Sequence, residues 1–207
     1  MLTPLVRLVD DDELFRTSQA LLLKTRGLST VTYSRATDFL AEDDSSRPGC
    51  LVLDVRMPGM TGLELQKVLE STGSTLPIIF LTGHGDVSMA VHTMQHGAAD
   101  FLEKPVTPFK LLESVQKACE KSMAAYEAIL KERAEKAVFY SLTPREQQVI
   151  LRAAYDTPNR VIAEALAIGE ATVKMHRANA FAKLGVKSAL EAYRLLTRIG
   201  ILKEEDG

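Results

Sequence analysis

Over the first 120 residues, short apolar runs alternate with longer amphipathic stretches. The runs at 5–9, 29–33, 50–53, 77–81 and 99–103 read as strands, and helices are expected between them at 13–26, 35–42, 61–71 and 86–96, and from 107 onward. CLVLD and PIIFLTG are short and continuously apolar, as strands covered on both faces must be. Strand–helix alternation repeated in this way calls for right-handed crossovers and a doubly wound, five-stranded parallel sheet of the flavodoxin-like α/β class. In such sheets the reactive crevice lies at the carboxyl ends of the strands.

The last of these helices does not stop where a domain should. After Pro108 neither Pro nor Gly interrupts the chain until about Tyr140, and Leu112, Val115, Cys119, Met123, Tyr126 and Leu130 recur at the spacing of one helical stripe. Two readings stay open: a final helix that frays into a linker, or a rigid inter-domain helix that pairs with a second copy through the stripe. Beyond Ser141 the pattern is all-helical. Thr143-Pro144 opens a helix, Thr157-Pro158-Asn159 breaks it, and a second runs to Ala167. After Gly169 a helix spans 170–184, Gly185 ends it, and Ser188 starts the last one. Two short helices joined by a tight turn, the second one basic, trace a helix-turn-helix. The expected organisation is a first domain over 1–121, a helical linker over 122–140 and an all-α domain over 141–207.

Composition adds little: 46% hydrophobic and 25% charged residues fit a soluble globular chain. The apolar runs are too short to cross a membrane, the opening MLTPLVRLV does not read as a signal peptide, and two cysteines make no disulfide framework. A cytoplasmic location without membrane partners is the expectation. Charge changes the picture more. Residues 1–120 hold 11 Lys/Arg against 16 Asp/Glu, whereas 141–207 hold 10 against 8 despite the acidic tail Glu204, Glu205 and Asp206. An acidic front and a locally basic rear suggest cation chemistry before polyanion binding.

Candidate chemistry falls at the predicted strand ends. Asp10 and Asp11 follow LVRLV, Asp54 ends CLVLD, Thr82 ends PIIFLT, and Lys104 ends the strand of ADFLEKP. Converging carboxylates suit a hard divalent cation, Mg²⁺ by preference. Such an ion with a carboxylate nucleophile, a Lys and a hydroxyl is the equipment for phosphoryl transfer onto Asp. Asp12 and Glu13 are expected to face solvent or cap the first helix. His84, His92 and His96 lack an evident third ligand and read as surface residues.

The set VDDDE, LDVRMPGMTG, LTGH and EKP, in this order and spacing, resembles the receiver domain of two-component response regulators. The resemblance implies that Asp54 is the phospho-acceptor and that Asp10 and Asp11 form the acidic pocket. It implies Mg²⁺ on Asp11, Asp54 and the backbone carbonyl of Arg56, with Thr82 and Lys104 on the phosphoryl group and Phe101 as a rotating switch. A cis bond before Pro105 is implied as well. A sensor histidine kinase would be the donor, and phosphorylation would promote a homodimer.

The stretch from Leu142 to Ser188 resembles the LuxR-type helix-turn-helix of the FixJ/NarL class, and together with a receiver places the chain in the FixJ subgroup. Matching residues include Thr143, Glu146, Asn159, Ile162, Val173, His176, Arg177, Lys183 and Gly185. Val173, Phe181 and Leu184 should face Ile162 and Leu166, leaving Lys174, Met175, Arg177 and Ala178 outward for a major groove. Lys174 could reach a guanine edge, and Met175 or Ala178 a thymine methyl. Thr172, His176, Arg177, Asn179 and Lys183 suit phosphates, with a buried packing role for His176 as the alternative. Asp156 and Gly169 depart from the usual Gly and Ser, and both substitutes can serve: Asp tolerates left-handed backbone, and Gly is an acceptable cap. The reading is a regulator binding promoter DNA, with room for RNA polymerase as a further partner. Two rivals stand beside it. A catalytic Asp phosphotransferase would want a second acid where Arg56 stands, and a receiver serving only protein interaction would show little salt-dependent DNA affinity.

Overall fold

β3 (Gly49–Asp54) is buried at every position, as an unbroken apolar run requires when both faces of a strand are covered. This is a computed structural model, and it describes residues 2–83 and 97–203. The helix expected at 86–96, with His84, His92 and His96, and the tail acids Glu204, Glu205 and Asp206 lie outside the described residues. β1 (Leu5–Val9) and β4 (Ile78–Thr82) flank β3, with β2 (Ser29–Tyr33) and β5 (Asp100–Glu103) at the edges. All pairings are parallel and the order is β2-β1-β3-β4-β5. Val9 pairs with Tyr33 and Leu53, and Asp54 with Leu81, so the carboxyl ends of the strands share one rim.

Around the sheet run α1 (Glu13–Thr25), α2 (Ala36–Glu42), α3 (Gly62–Ser71) and the start of α4 (Pro108–Ser141). Successive strand residues point to opposite faces. Val6, Leu8, Cys50, Val52, Ile79 and Leu81 therefore pack with Leu23 of α1 and Leu111 and Val115 of α4. Val9, Leu51, Leu53 and Phe80 pack with Phe39 of α2 and Leu65 of α3 on the other face. Each such side chain contributes roughly 1.5–3 kcal/mol by burial. Local signals agree with this arrangement. Asp12 caps α1 by accepting from the Leu14 and Phe15 amides, and Thr61 with Glu64 forms a reciprocal capping box at α3.

A charge also lies inside β1. Arg7, in the middle of β1, is fully buried, its Nε 2.8 Å from Asp43 and its Nη atoms donating to the carbonyls of Leu5, Asp44 and Arg47. The Tyr33 hydroxyl donates to the same Asp43, and burial together with that carboxylate pushes its pKa up to about 12.

The chain divides into two compact units, Met1–Tyr126 and Glu127–Gly207. α4 runs from Pro108 to Ser141. The second unit adds α5 (Pro144–Ala153), α6 (Asn159–Leu166), α7 (Glu170–Leu184) and α8 (Ala189–Arg198). Thr143 and Glu146 form a capping box with Pro144 at the start of α5, and Gly185 ends α7 at φ 69, a left-handed conformation that costs glycine little. Two apolar clusters fill the unit. One gathers Phe139, Ile150, Ala180 and Leu196, the other Val149, Ile162 and Val173.

Candidate functional site

The rim of the sheet collects the expected residues. Asp10 follows β1 with no exposed surface, Asp54 ends β3 at 7% exposure, and Thr82 ends β4 at 2%. Carboxylate oxygens of Asp10, Asp11 and Asp54 all lie within 4.8 Å of one another. Lys104, just past β5, places Nζ 2.6 Å from Asp10 and 3.5 Å from Asp54. Its backbone amide donates to the Thr82 carbonyl at 2.7 Å, tying the ends of β5 and β4 together. The Lys104–Pro105 bond is cis. Phe101 is half-buried in β5 opposite Phe80, and Arg56 lies exposed in the loop after β3.

Electrostatics in the crevice are a contest. Burial raises the Asp54 pKa, Lys104 pulls it down, and Asp10 and Asp11 push it up again. The net shift is upward: the carboxylate is short of positive charge even with Lys104 beside it. A cation between the three carboxylates would relieve that shortage, and oxygen-only donors of this kind fit a hard divalent ion.

Sequence reasoning missed three supporting residues. Lys104 lies over the Phe15 ring, 4.3 Å from its centroid, and Arg16 donates to the Asp10 carbonyl at 2.6 Å. Gly62 opens α3 against the backbone of Asp54, where a Cβ would stand 2.3 Å from the Asp54 carbonyl oxygen. A glycine at the first turn of α3, inside the quoted LDVRMPGMTG, is the signal that could have found the last. For Phe15 and Arg16 the sequence holds none, because their partners lie in space across a loop. Asp12 and Glu13 are exposed and stand outside the acidic cluster, with Asp12 as the α1 cap, as expected.

On α7 the outward face carries Lys174, Met175, Ala178 and Asn179, all exposed, with Met175 at 52%. Thr172, His176 and Arg177 are half-buried. Val173 and Phe181 meet Ile162 and Leu166 as expected, whereas Leu184 packs instead on the cluster of Phe139 and Ile150. It falls eleven residues after Val173, three turns along a helix that has by then passed from α6 to α5. Two of the expected phosphate ligands are already engaged within the protein. Arg177 donates to Asn159 at 3.2 Å and lies over Phe181, and Lys183 holds both oxygens of Glu146 at 2.7 and 2.9 Å. Both turn departures are accommodated: Asp156 adopts φ 55, and Gly169 stands at the N-cap of α7 with extended backbone.

A family model for the response regulator receiver domain matches residues 6–116, and one described as bacterial regulatory proteins, luxR family, matches 140–196. The transcriptional regulatory protein FixJ of Rhizobium meliloti is 39% identical over 190 residues, covering 92% of this chain and 93% of its own. The response regulator protein TodT of Pseudomonas putida F1 is 39% identical over 199 residues, covering 94% and 86%. Among solved structures, the response regulator StyR shares 38% identity at a TM-score of 0.84, covering 95% of this chain and 99% of its own.

Proposed function

The chain belongs to the two-component response regulators that join a receiver to a LuxR-family DNA-binding domain, and from that premise we propose that Asp54 is the residue that takes up the phosphoryl group. The family is one of phosphorylation-dependent transcription regulators; a receiver implies a sensor-kinase partner and a LuxR-type domain implies DNA binding. The observation that carries the proposal is the placement of Asp54 at a strand end, facing two further carboxylates and Lys104.

In this reading Asp11, Asp54 and the Arg56 carbonyl hold Mg²⁺, with Asp10 completing the acidic pocket. The ion supplies charge neutralisation for the phosphoryl oxygens. Asp54 is the nucleophile toward a phosphohistidine of the kinase or a small phosphodonor. Lys104, steered by Asp10 and Phe15, pairs with one phosphoryl oxygen, and the Thr82 hydroxyl donates to another. Phe101 then turns inward, and the altered face promotes a homodimer. Autodephosphorylation at Asp54 would be the only turnover. The receiver comprises 1–121, a helical linker 122–140 and the DNA-binding domain 141–207.

Two copies would place α7 in successive major grooves, with Lys174, Met175 and Ala178 toward bases and Thr172, His176, Arg177, Asn179 and Lys183 toward phosphates. For Lys183 a phosphate must compete with Glu146, so its contribution is smaller than that of Lys174. RNA polymerase at the promoter is the further partner. No helix among the described residues is long and apolar enough to cross a membrane, and the proposed location is the cytoplasm.

The test is selection from a random-site DNA library, with and without a phosphodonor and Mg²⁺, for wild type and Asp54→Ala. A two-fold symmetric site that needs both donor and Asp54 is expected. Binding indifferent to Asp54 would remove the receiver from the switch, and the lack of any enriched site would remove DNA as the target.

A further inference from the structure

Two cysteines are present in the chain. They stand 69 positions apart, one on β3 and one on α4, and they meet. Cys50 Sγ and Cys119 Sγ are 3.7 Å apart, both reduced and both buried. We propose that this pair is an oxidation site, which a hydroperoxide closes to an intramolecular disulfide fastening α4 to the central strand and which an external thiol reopens.

The geometry is nearly in place. The sulfurs must close from 3.7 Å to a bond length of about 2.05 Å, a shift of the size that side-chain torsion supplies. The two backbones are already held together beside them, because the Gly49 amide donates to Ser122 Oγ at 3.0 Å, one residue before Cys50 and three after Cys119. Only Cys119 keeps any exposed surface, 4% against none for Cys50. The bond with Cys119 and burial push the Cys50 thiol up. Cys119, which alone of the two keeps any surface, is therefore the thiol that meets the oxidant.

The steps balance. The Cys119 thiolate attacks hydrogen peroxide, takes one oxygen as a sulfenic acid and releases hydroxide, which becomes water with the thiol's proton. The Cys50 sulfur then attacks the sulfenic sulfur, forming the S–S bond and releasing a second water. Two thiols lose two electrons and two protons, and one peroxide becomes two waters. Reduction runs through attack of an external thiolate on the disulfide. Burial slows every step, because the oxidant enters only when α4 opens locally.

The crosslink acts far from the crevice. Cys50 is next to the start of β3 and Asp54 at its end, roughly 13 Å apart at 3.3 Å per residue. What it constrains is α4, the helix that runs on to Ser141. In a reducing compartment the pair rests as two thiols, so closure would report oxidative stress.

The experiment treats the full chain with hydrogen peroxide, alkylates the remaining thiols under denaturing conditions and measures the intact mass. The expected result is loss of two hydrogens with no alkyl group added, and a proteolytic peptide joining Cys50 to Cys119. Dithiothreitol should restore both alkylation sites. In Cys119→Ser, Cys50 should stay alkylatable at the same peroxide dose. Two free thiols in oxidised wild type, sulfinic acid at either cysteine, or only disulfides between molecules would each overturn the proposal. The wild-type measurement decides it, whether or not the variant folds.

Discussion

In the crevice at the rim of the sheet, Asp10 has no exposed surface, Asp54 has 7%, and both lie within reach of one lysine. On α7, Lys174 and Met175 stand exposed, and their orientation comes from the apolar residues on the opposite side of the same helix. The first region concentrates charge where water is scarce, which raises the Asp54 pKa and creates a need for a cation. The second spreads polar groups over a surface where, in the proposed function, Lys174 and its exposed neighbours meet their partner only on binding. A covalent reaction needs groups fixed against one another before the reactant arrives, whereas groove recognition needs a rigid backbone and free side chains. Arg177 and Lys183 fall between these cases, exposed in part yet already bonded to Asn159 and Glu146.

Arg7 tests whether burial of charge in the first unit is confined to function. Its guanidinium is fully buried, so Arg7→Ala removes the donors that it gives to Asp43 and to the carbonyls of Leu5, Asp44 and Arg47. A loss of about 3–5 kcal/mol is expected in the urea unfolding of the first unit. A loss below 1 kcal/mol would show that water replaces it. Gly62→Ala comes next, because its Cβ would stand 2.3 Å from the Asp54 carbonyl oxygen and must displace Asp54, the proposed nucleophile. Phosphorylation by a small phosphodonor should slow about 100-fold, by the cost of roughly 1 Å of misplacement. An unchanged rate would mean that the crevice is less rigid than its packing implies.

On the recognition side, Lys174→Ala should weaken specific DNA binding by about 1–3 kcal/mol and relax the preference at one base, while leaving phosphorylation intact. The same substitution lowering the affinity for every sequence alike would reassign Lys174 to a phosphate. Glu146 connects the two modes, since it is buried and charged but structural. Lys183 and the Thr143 amide hold its carboxyl below the usual range. Its contribution is therefore present above about pH 4.5 and disappears as the pH falls through the depressed value. Glu146→Gln should cost about 1–2 kcal/mol at neutral pH, by loss of charge-assisted bonds, and the gap from wild type should close in acid. The smallest effect is a gain. Ala167 ends α6 at φ 52, a left-handed conformation, so Ala167→Gly should stabilise the second unit by about 1 kcal/mol in thermal unfolding.

Much of this molecule was written in local pattern. The continuous apolarity of CLVLD and PIIFLT, the caps at Asp12 and Thr143, and the breaks at Pro158 and Gly185 each specify an element through interactions spanning a few residues. Element order then brings the strand ends to one rim, and with them Asp10, Asp54, Thr82 and Lys104. What sequence did not disclose are the pairs made between elements. Nothing in LVRLV tells where its one charge goes, and Arg7 is buried because Asp43, Asp44 and Arg47 return from 36 to 40 residues away to enclose it. Lys183 and Glu146 lie 37 apart, Cys50 and Cys119 lie 69 apart, and Leu184 joins a different cluster from Val173 on its own helix. Periodicity tells which face of an element turns inward, and local chemistry tells where it starts and stops. Which residue waits on the other side is decided only when the elements pack, because close packing and the need to satisfy every buried charge act across space without regard to distance along the chain.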